Sequence, residues 1–216
     1  MYQNILFDLD GTLTNSELGI TNSVAYALKK FDIEVKDKKE LTIFIGPPLR
    51  SSFESFYGFS KEKSLQAVEY YREYFSEKGL YENKVYENIP ELLASLKQAG
   101  KKLAVATSKP EKFSIQILKH FGLYDYFDFV AGATMDGSRS KKADVIGYAL
   151  ESMEIENLSE TIMVGDRKHD VIGAQKQNLT SVGVLYGFGT KEELEKAGAS
   201  FIVKNVSQLK KLLMLK

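Results

Sequence analysis

From about residue 84 onward, short β-rich apolar runs alternate with helical periods, and this alternation constrains the fold more than any other feature of the chain. The segment "ENIPELLASLKQAG" predicts a helix that starts at Pro90, repeats apolar positions at Leu92, Leu93, Leu96 and Ala99, and stops at Gly100, a residue suited to a left-handed C-cap. "KKLAVAT" follows as a strand. Helical periods recur in "KPEKFSIQILKHFG", "KKADVIGYALESM", "DVIGAQKQN", "KEELEKAGA" and "VSQLKKLLML", with "FDFVAGAT", "TIMVGD", "SVGVLYG" and "FIVK" as strands between them. A parallel crossover needs a long connection, so strands spaced by helices imply a parallel sheet covered on both faces. The opening run "NILFDL" joins the same sheet. The expected class is α/β, a Rossmann-like parallel sheet with an inserted helical domain.

That insertion is residues 15–83, where the alternation breaks. "NSELGITNSVAYALKKF" carries a helical stripe at Ile20, Val24, Ala27, Leu28 and Phe31, with Asn15 or Ser16 able to cap it. "SLQAVEYYREYF" is another helix, and "TIFIGPPLRSSFESFYG" holds Pro47 and Pro48, a loop or a helix start, and then an apolar helix. Twelve of the chain's 25 aromatic residues lie here, enough for a small core of its own. Tyr70, Tyr71, Tyr74 and Phe75 are expected to pack in it rather than to stack on a ligand. The boundaries expected are therefore 1–14 with 84–216 for the α/β core, and 15–83 for the helical domain.

Composition narrows the function classes. Lysine plus arginine and aspartate plus glutamate both number 29, so the formal net charge is zero and no basic face for a nucleic acid polymer or an anionic membrane is expected. The absence of cysteine removes disulfides, thiolate metal sites and thiol nucleophiles, and suits a reducing compartment. "MYQNILFDLD" is a poor signal peptide and no apolar run approaches the ~20 residues a membrane helix needs, so a cytoplasmic location is expected.

In an open parallel sheet the ligand crevice lies at the carboxyl ends of the strands. Asp8 and Asp10 follow "NILF", Thr107 and Ser108 follow "KLAVA", Lys141 and Lys142 open the helix after "FDFVAGAT", and Asp166 follows "TIMVG". Clustered carboxylates raise one another's pKa unless a cation compensates. Mg²⁺, a hard ion that takes carboxylates, waters and a phosphate oxygen, answers the need. Each motif alone has a plainer reading: "DLDG" is also a strand with an Asp-Gly turn, and Asp170 of "GDRKHD" could simply cap the next helix. Together they are far more specific.

In their order, "FDLDGTLTNS", "VATSKP", a lysine before a helix, and "VGDRKHD" resemble the motifs of the haloacid dehalogenase (HAD) superfamily. "IGPPL" and "VLYGFGTKEELEKAGA" are similar to its phosphoglycolate phosphatase-like branch. The resemblance implies a HAD-like core with a cap domain and a Mg²⁺-dependent phosphatase acting on a small phosphorylated metabolite. It implies Asp8 as nucleophile, forming an aspartyl phosphate, and Asp10 as acid and then base. Thr107, Ser108 and Lys142 would hold the phosphoryl group, while Asp8, the Asp10 backbone oxygen, Asp166 and Asp170 would serve the metal. Relatives often carry Lys-Pro where this chain has "SRSKKADVI"; the resemblance favours Lys142, seven residues before Ala149 as in relatives with an "xKxxVI" pattern, with Lys141 as the alternative. Asn178 stands where relatives often have Gly. Arg50, beside "GPPL", is the candidate contact for an anionic part of the substrate, with a solvated surface arginine as the alternative.

His169 is read as a bystander beside hard oxygen ligands, and His120 is given no chemistry. The glycines of "GVLYGFG" do not match a dinucleotide fingerprint. Phosphoglycolate is one expected substrate and 5′-nucleotides the main alternative; a phosphosugar mutase would use the same core. A non-hydrolytic phosphoacceptor signalling module is the rival class, disfavoured by Asp10 and by the insertion. A monomer or a homodimer is expected.

Overall fold

The computed structural model describes residues 2–215. The chain runs β1 (Asn4–Phe7), β2 (Thr14–Asn15), α1 (Glu17–Lys29), α2 (Leu49–Tyr57), α3 (Lys61–Tyr74), β3 (Lys84–Val85), α4 (Ile89–Gln98), β4 (Lys102–Pro110), α5 (Glu111–His120), β5 (Phe129–Ala133), α6 (Lys142–Ser152), β6 (Thr161–Gly165), α7 (Lys168–Lys176), β7 (Thr180–Val184), α8 (Lys191–Lys196), β8 (Phe201–Val203) and α9 (Val206–Met214). It divides into two compact units: the residues up to Thr14 together with those from Val85 onward, and Asn15–Lys84.

The first unit is α/β. Its six strands stand in the order β5-β4-β1-β6-β7-β8, and every neighbouring pair is parallel. β1 is central and buried along its whole length, which is why "NILF" reads as a continuous apolar run rather than an alternating one. Its polar member, Asn4, is satisfied by donating from Nδ2 to Thr161 Oγ1 at 3.1 Å. Leu6, Ala104, Ala106, Ala131 and Met163 meet Val145, Ile146 and Ala149 of α6 and Ala174 of α7 in one core cluster. Leu92, Leu93 and Leu96 of α4 are fully buried, each contributing about 1.5–3 kcal/mol by leaving water.

Element ends follow local chemistry. α4 begins at Ile89 with Pro90 inside its first turn, where a missing N–H costs nothing, and Gly100 follows its end with φ +76°. Asn178 takes the same left-handed role after α7 with φ +56°. β4 runs on through "TSKP" to Pro110, four residues beyond the apolar run, because its pairing with β5 resumes at Pro110 and Ala133 after a register shift.

The chain passes from β1 to β4 and β5 on one side, then returns to β6, β7 and β8 on the other. The order reverses between β1 and β6. A ligand crevice belongs at the carboxyl ends there, and the residues that follow the two strands are Asp8 and Asp166.

The second unit is helical. Ile20, Val24, Ala27 and Leu28 form the buried stripe of α1, and Asn15 Oδ1 accepts from the Glu17 N–H at 3.1 Å, while the Ser16 hydroxyl makes no capping bond. Its core is aromatic: Phe44 and Phe53 lie 5.0 Å apart between ring centres, and Phe53 stacks on Phe59 at 5.9 Å. Tyr71 and Phe75 are buried and stacked at 5.3 Å, Tyr70 packs edge-on against Phe31, and Tyr74 donates from its hydroxyl to Glu82. All four aromatics serve packing inside the unit.

Candidate active site

The loop after β1 is shaped by a tight turn. The Asp8 N–H still bonds Val164 O at 2.9 Å, so the strand register carries one residue past Phe7. The N–H groups of Leu13 and Thr14 then both return to Leu9 O, at 2.9 and 3.0 Å. Gly11 permits the reversal with φ +81°; a Cβ there would also run into the Asp166 carboxylate. Asp8 and Asp10 are thereby held, almost fully buried, on a loop with little freedom.

Lys142, the first residue of α6, reaches back to this loop. Its Nζ lies 2.8 Å from Asp8 Oδ1 and 2.8 Å from Asp170 Oδ1, and it donates to Ala106 O at 3.1 Å. Burial alone would lower the Lys142 pKa, but the charges of Asp170 and Asp8 outweigh it and hold the ammonium protonated, above its ordinary value. Asp8 Oδ1 also accepts from the Leu9 N–H at 2.7 Å. Lys141 is exposed and occupies the cap position of the helix.

Asp170 caps the next helix, as the plainer of its two sequence readings has it. One oxygen, Oδ2, caps α7 by accepting from the Arg167 N–H at 3.0 Å, and the other faces Lys142. Asp166 follows β6; its Oδ2 accepts from the Phe188 N–H at 2.7 Å, and its Oδ1 is buried without a hydrogen bond. Burial, then the charges of Asp170 and Asp8, push the Asp166 carboxyl well above the usual carboxylate range. Burial and Asp8 likewise raise Asp170 against the pull of Lys142. Three acids this close cannot all ionise comfortably by themselves.

One carboxylate oxygen from each of Asp8, Asp166 and Asp170 lies within 4.8 Å of the others. Counting Asp10, four buried carboxylates face two buried ammonium groups, Lys142 and Lys109, which leaves two negative charges. An all-oxygen donor set, a surplus of that size and the unpartnered Asp166 Oδ1 fit a hard divalent cation. His169 stands outside this cluster, half-buried, its pKa lowered by burial and by Arg167 and Lys168.

Thr107 and Ser108 directly follow Ala106, whose carbonyl receives Lys142; Thr107 is buried and Ser108 half-buried. Arg50 belongs to the helical unit, where it lies partly exposed and its Nε pairs with Glu54 at 3.0 Å. Two contributors escape sequence reasoning. Lys109 pairs with Asp10 Oδ2 at 3.0 Å, although a lysine past an apolar strand reads as solvated. The "YGFG" loop packs so tightly that a Cβ on Gly187 would overlap Asp166, which lets the Phe188 N–H reach that carboxylate.

The haloacid dehalogenase-like hydrolase profile matches residues 5–184, a span that contains all four aspartates, Thr107, Ser108, Lys109 and Lys142. The chain belongs to the haloacid dehalogenase-like hydrolase family. A crystal structure described as that of a predicted phosphatase from Clostridium acetobutylicum superposes with a TM-score of 0.97 at 55% identity, covering 99% of each chain. A 5′-nucleotidase from Pseudomonas aeruginosa is 42% identical over 212 residues, 98% of this chain and 96% of its own. The tyrosine-protein kinase PtkA of Mycobacterium tuberculosis is 39% identical over 202 residues, 93% of this chain and 68% of its own. Phosphoglycolate phosphatases also stand among the relatives, at 30% identity in Vibrio vulnificus. Within the family this chain is a phosphatase, a phosphoric monoester hydrolase. None of its described helices is long and apolar enough to cross a membrane.

Proposed function

We propose that this haloacid dehalogenase-like phosphatase hydrolyses a small phosphate monoester through an aspartyl phosphate on Asp8, with Mg²⁺ as its cofactor. The observation that carries the reading is Asp8 itself: a buried carboxylate with Oδ1 fixed by the Leu9 N–H and by Lys142 at 2.8 Å, beside Asp166 and Asp170. Two fixed donors on one oxygen set the direction of the whole carboxylate, and positioning supplies much of phosphoryl-transfer catalysis.

In the first half-reaction an Asp8 oxygen attacks phosphorus, the ester P–O bond breaks, and Asp10 gives its proton to the departing oxygen. In the second, water attacks the same phosphorus, Asp10 takes its proton, and the P–O bond to Asp8 breaks. Lys142, Thr107 and the backbone at Ser108 offer donors for the phosphoryl oxygens. Asp8, the Asp10 backbone oxygen, Asp166 and Asp170 would hold the Mg²⁺ ion. When bound, the ion neutralises phosphate charge and relieves the repulsion among the acids. The helical segment 15–83 serves as the cap domain, and Arg50 is its candidate contact for an anionic group of the substrate.

Nucleoside 5′-monophosphates are the favoured substrates, supported by the 42% identical 5′-nucleotidase that matches nearly end to end. Phosphoglycolate is the second reading, supported by the phosphoglycolate phosphatases among the relatives. The test is a panel of phosphate esters assayed with and without Mg²⁺. Hydrolysis of nucleoside monophosphates that vanishes on chelation is expected; preference for phosphoglycolate would move the substrate assignment, and no turnover of any ester would refute the function.

A further inference from the structure

A lysine side chain tolerates burial only with a partner. Lys109 is buried, and its Nζ lies 3.0 Å from Asp10 Oδ2. What brings it there is the irregular end of β4. A regular strand turns successive side chains to opposite faces. Here the register with β5 shifts between Ala106 and Pro110, and the Lys109 N–H folds back onto Thr107 Oγ1 at 3.3 Å. A residue of β4 thus reaches across to the loop that follows β1. It takes one oxygen of Asp10, and the other, Oδ1, is buried with no hydrogen bond.

We propose that Lys109 is a positioning residue for the phosphatase reaction: it anchors Asp10 through Oδ2, so that Oδ1 is the atom that delivers and later collects the proton. The inference rests on the acid/base reading of Asp10 given above. Without the anchor, the carboxylate is free to rotate away from the departing oxygen. The loss should then depend on how much the leaving group needs a proton. An alkoxide leaves poorly unprotonated, whereas a nitrophenolate leaves readily without help.

The test compares kcat/KM for a nucleoside 5′-monophosphate and for p-nitrophenyl phosphate, with Mg²⁺, in the wild type, Asp10→Asn, Lys109→Met, Lys109→Arg and the Lys109→Met/Asp10→Asn pair. Lys109→Met is expected to cost roughly 10²-fold with the nucleotide and less than about 10-fold with the aryl ester, as loss of general acid assistance requires. Lys109→Arg should recover most of the nucleotide activity. The double variant removes both charges and leaves no unpaired ion in the interior, so it stays informative if Lys109→Met fails to fold. It should match Asp10→Asn alone, because a residue that acts through Asp10 has nothing left to position. Equal losses on both esters, or a further loss in the Asp10→Asn background, would overturn the proposal. An Asp10→Asn enzyme with wild-type kinetics would instead refute the acid/base reading beneath it, and the proposal with it.

Discussion

The two units of this protein bury polar groups in opposite ways. Among the described residues, every buried charged side chain belongs to the α/β unit: Asp8, Asp10, Lys101, Lys109, Lys142, Asp166 and Asp170. The helical unit buries only hydroxyls such as Thr21, Ser23 and Ser64, each bonded to a carbonyl one turn back in its own helix, and fills its interior with stacked aromatics. None of its described lysines is buried, and Lys30, Lys63 and Lys78 lay their charge over rings, Lys63 over Phe59 at 4.1 Å. Placing ions in a low-dielectric interior costs several kcal/mol each before pairing. A fold concentrates that cost where charge has a task, so the contrast separates a unit built for chemistry from one built on packing.

Substitutions in the two units should therefore fail differently. The largest effect is expected from Asp8→Asn, a loss of roughly 10⁴-fold or more in kcat, as for other nucleophiles. Its melting temperature should change little, because Lys142 keeps Asp170 as a partner. A collapse of stability with intact specific activity would break the comparison. Phe53→Ala in the helical unit should do the reverse: about 3–5 kcal/mol of stability lost in denaturant unfolding, from a fully buried ring, with p-nitrophenyl phosphate turnover retained below the melting transition.

Smaller effects sharpen the contrast. Arg50→Ala should shift discrimination among phosphate esters by about 1–3 kcal/mol in relative kcat/KM. Its exposed pair with Glu54 should contribute less than about 1 kcal/mol to stability. Unchanged selectivity would return Arg50 to the solvated surface. The smallest effect concerns Glu193. Burial would raise its pKa, but Arg167 and the Lys168 N–H hold it below the ordinary glutamate value. Its stabilisation is thus present above the unfolded-state pKa and is lost as pH falls through the depressed folded value. Melting temperatures of the wild type and Glu193→Gln should differ at neutral pH and converge in acid; a constant gap would deny the ionic origin.

The sheet was legible because periodicity is local. "NILF", "KLAVA" and "TIMVG" announce buried parallel strands, and the polar residues after them mark the crevice by topology alone. The pattern shared with relatives points to Lys142 over Lys141, and in the fold the two lie on opposite sides of burial, Lys142 inside and Lys141 out. Lys109 was not legible, since its burial depends on a register shift between β4 and β5 that no short window of sequence reveals. The Phe188 N–H on Asp166 was hidden for a related reason: the donor lies 22 residues away, on a loop whose glycines read only as turn residues. Both are contacts across strands, and strand neighbours are set by topology rather than by nearness in sequence.

Transient phosphorylation is the point on which the account stands. Wild-type protein mixed with Mg²⁺ and a turning-over ester, quenched within one catalytic cycle, reduced with borohydride and mapped by mass spectrometry, should yield homoserine at position 8 and nowhere else. Asp8→Asn treated alike should yield none. Full turnover with position 8 unmodified throughout, or the label at Asp10, would contradict the assignment of Asp8 as the nucleophile.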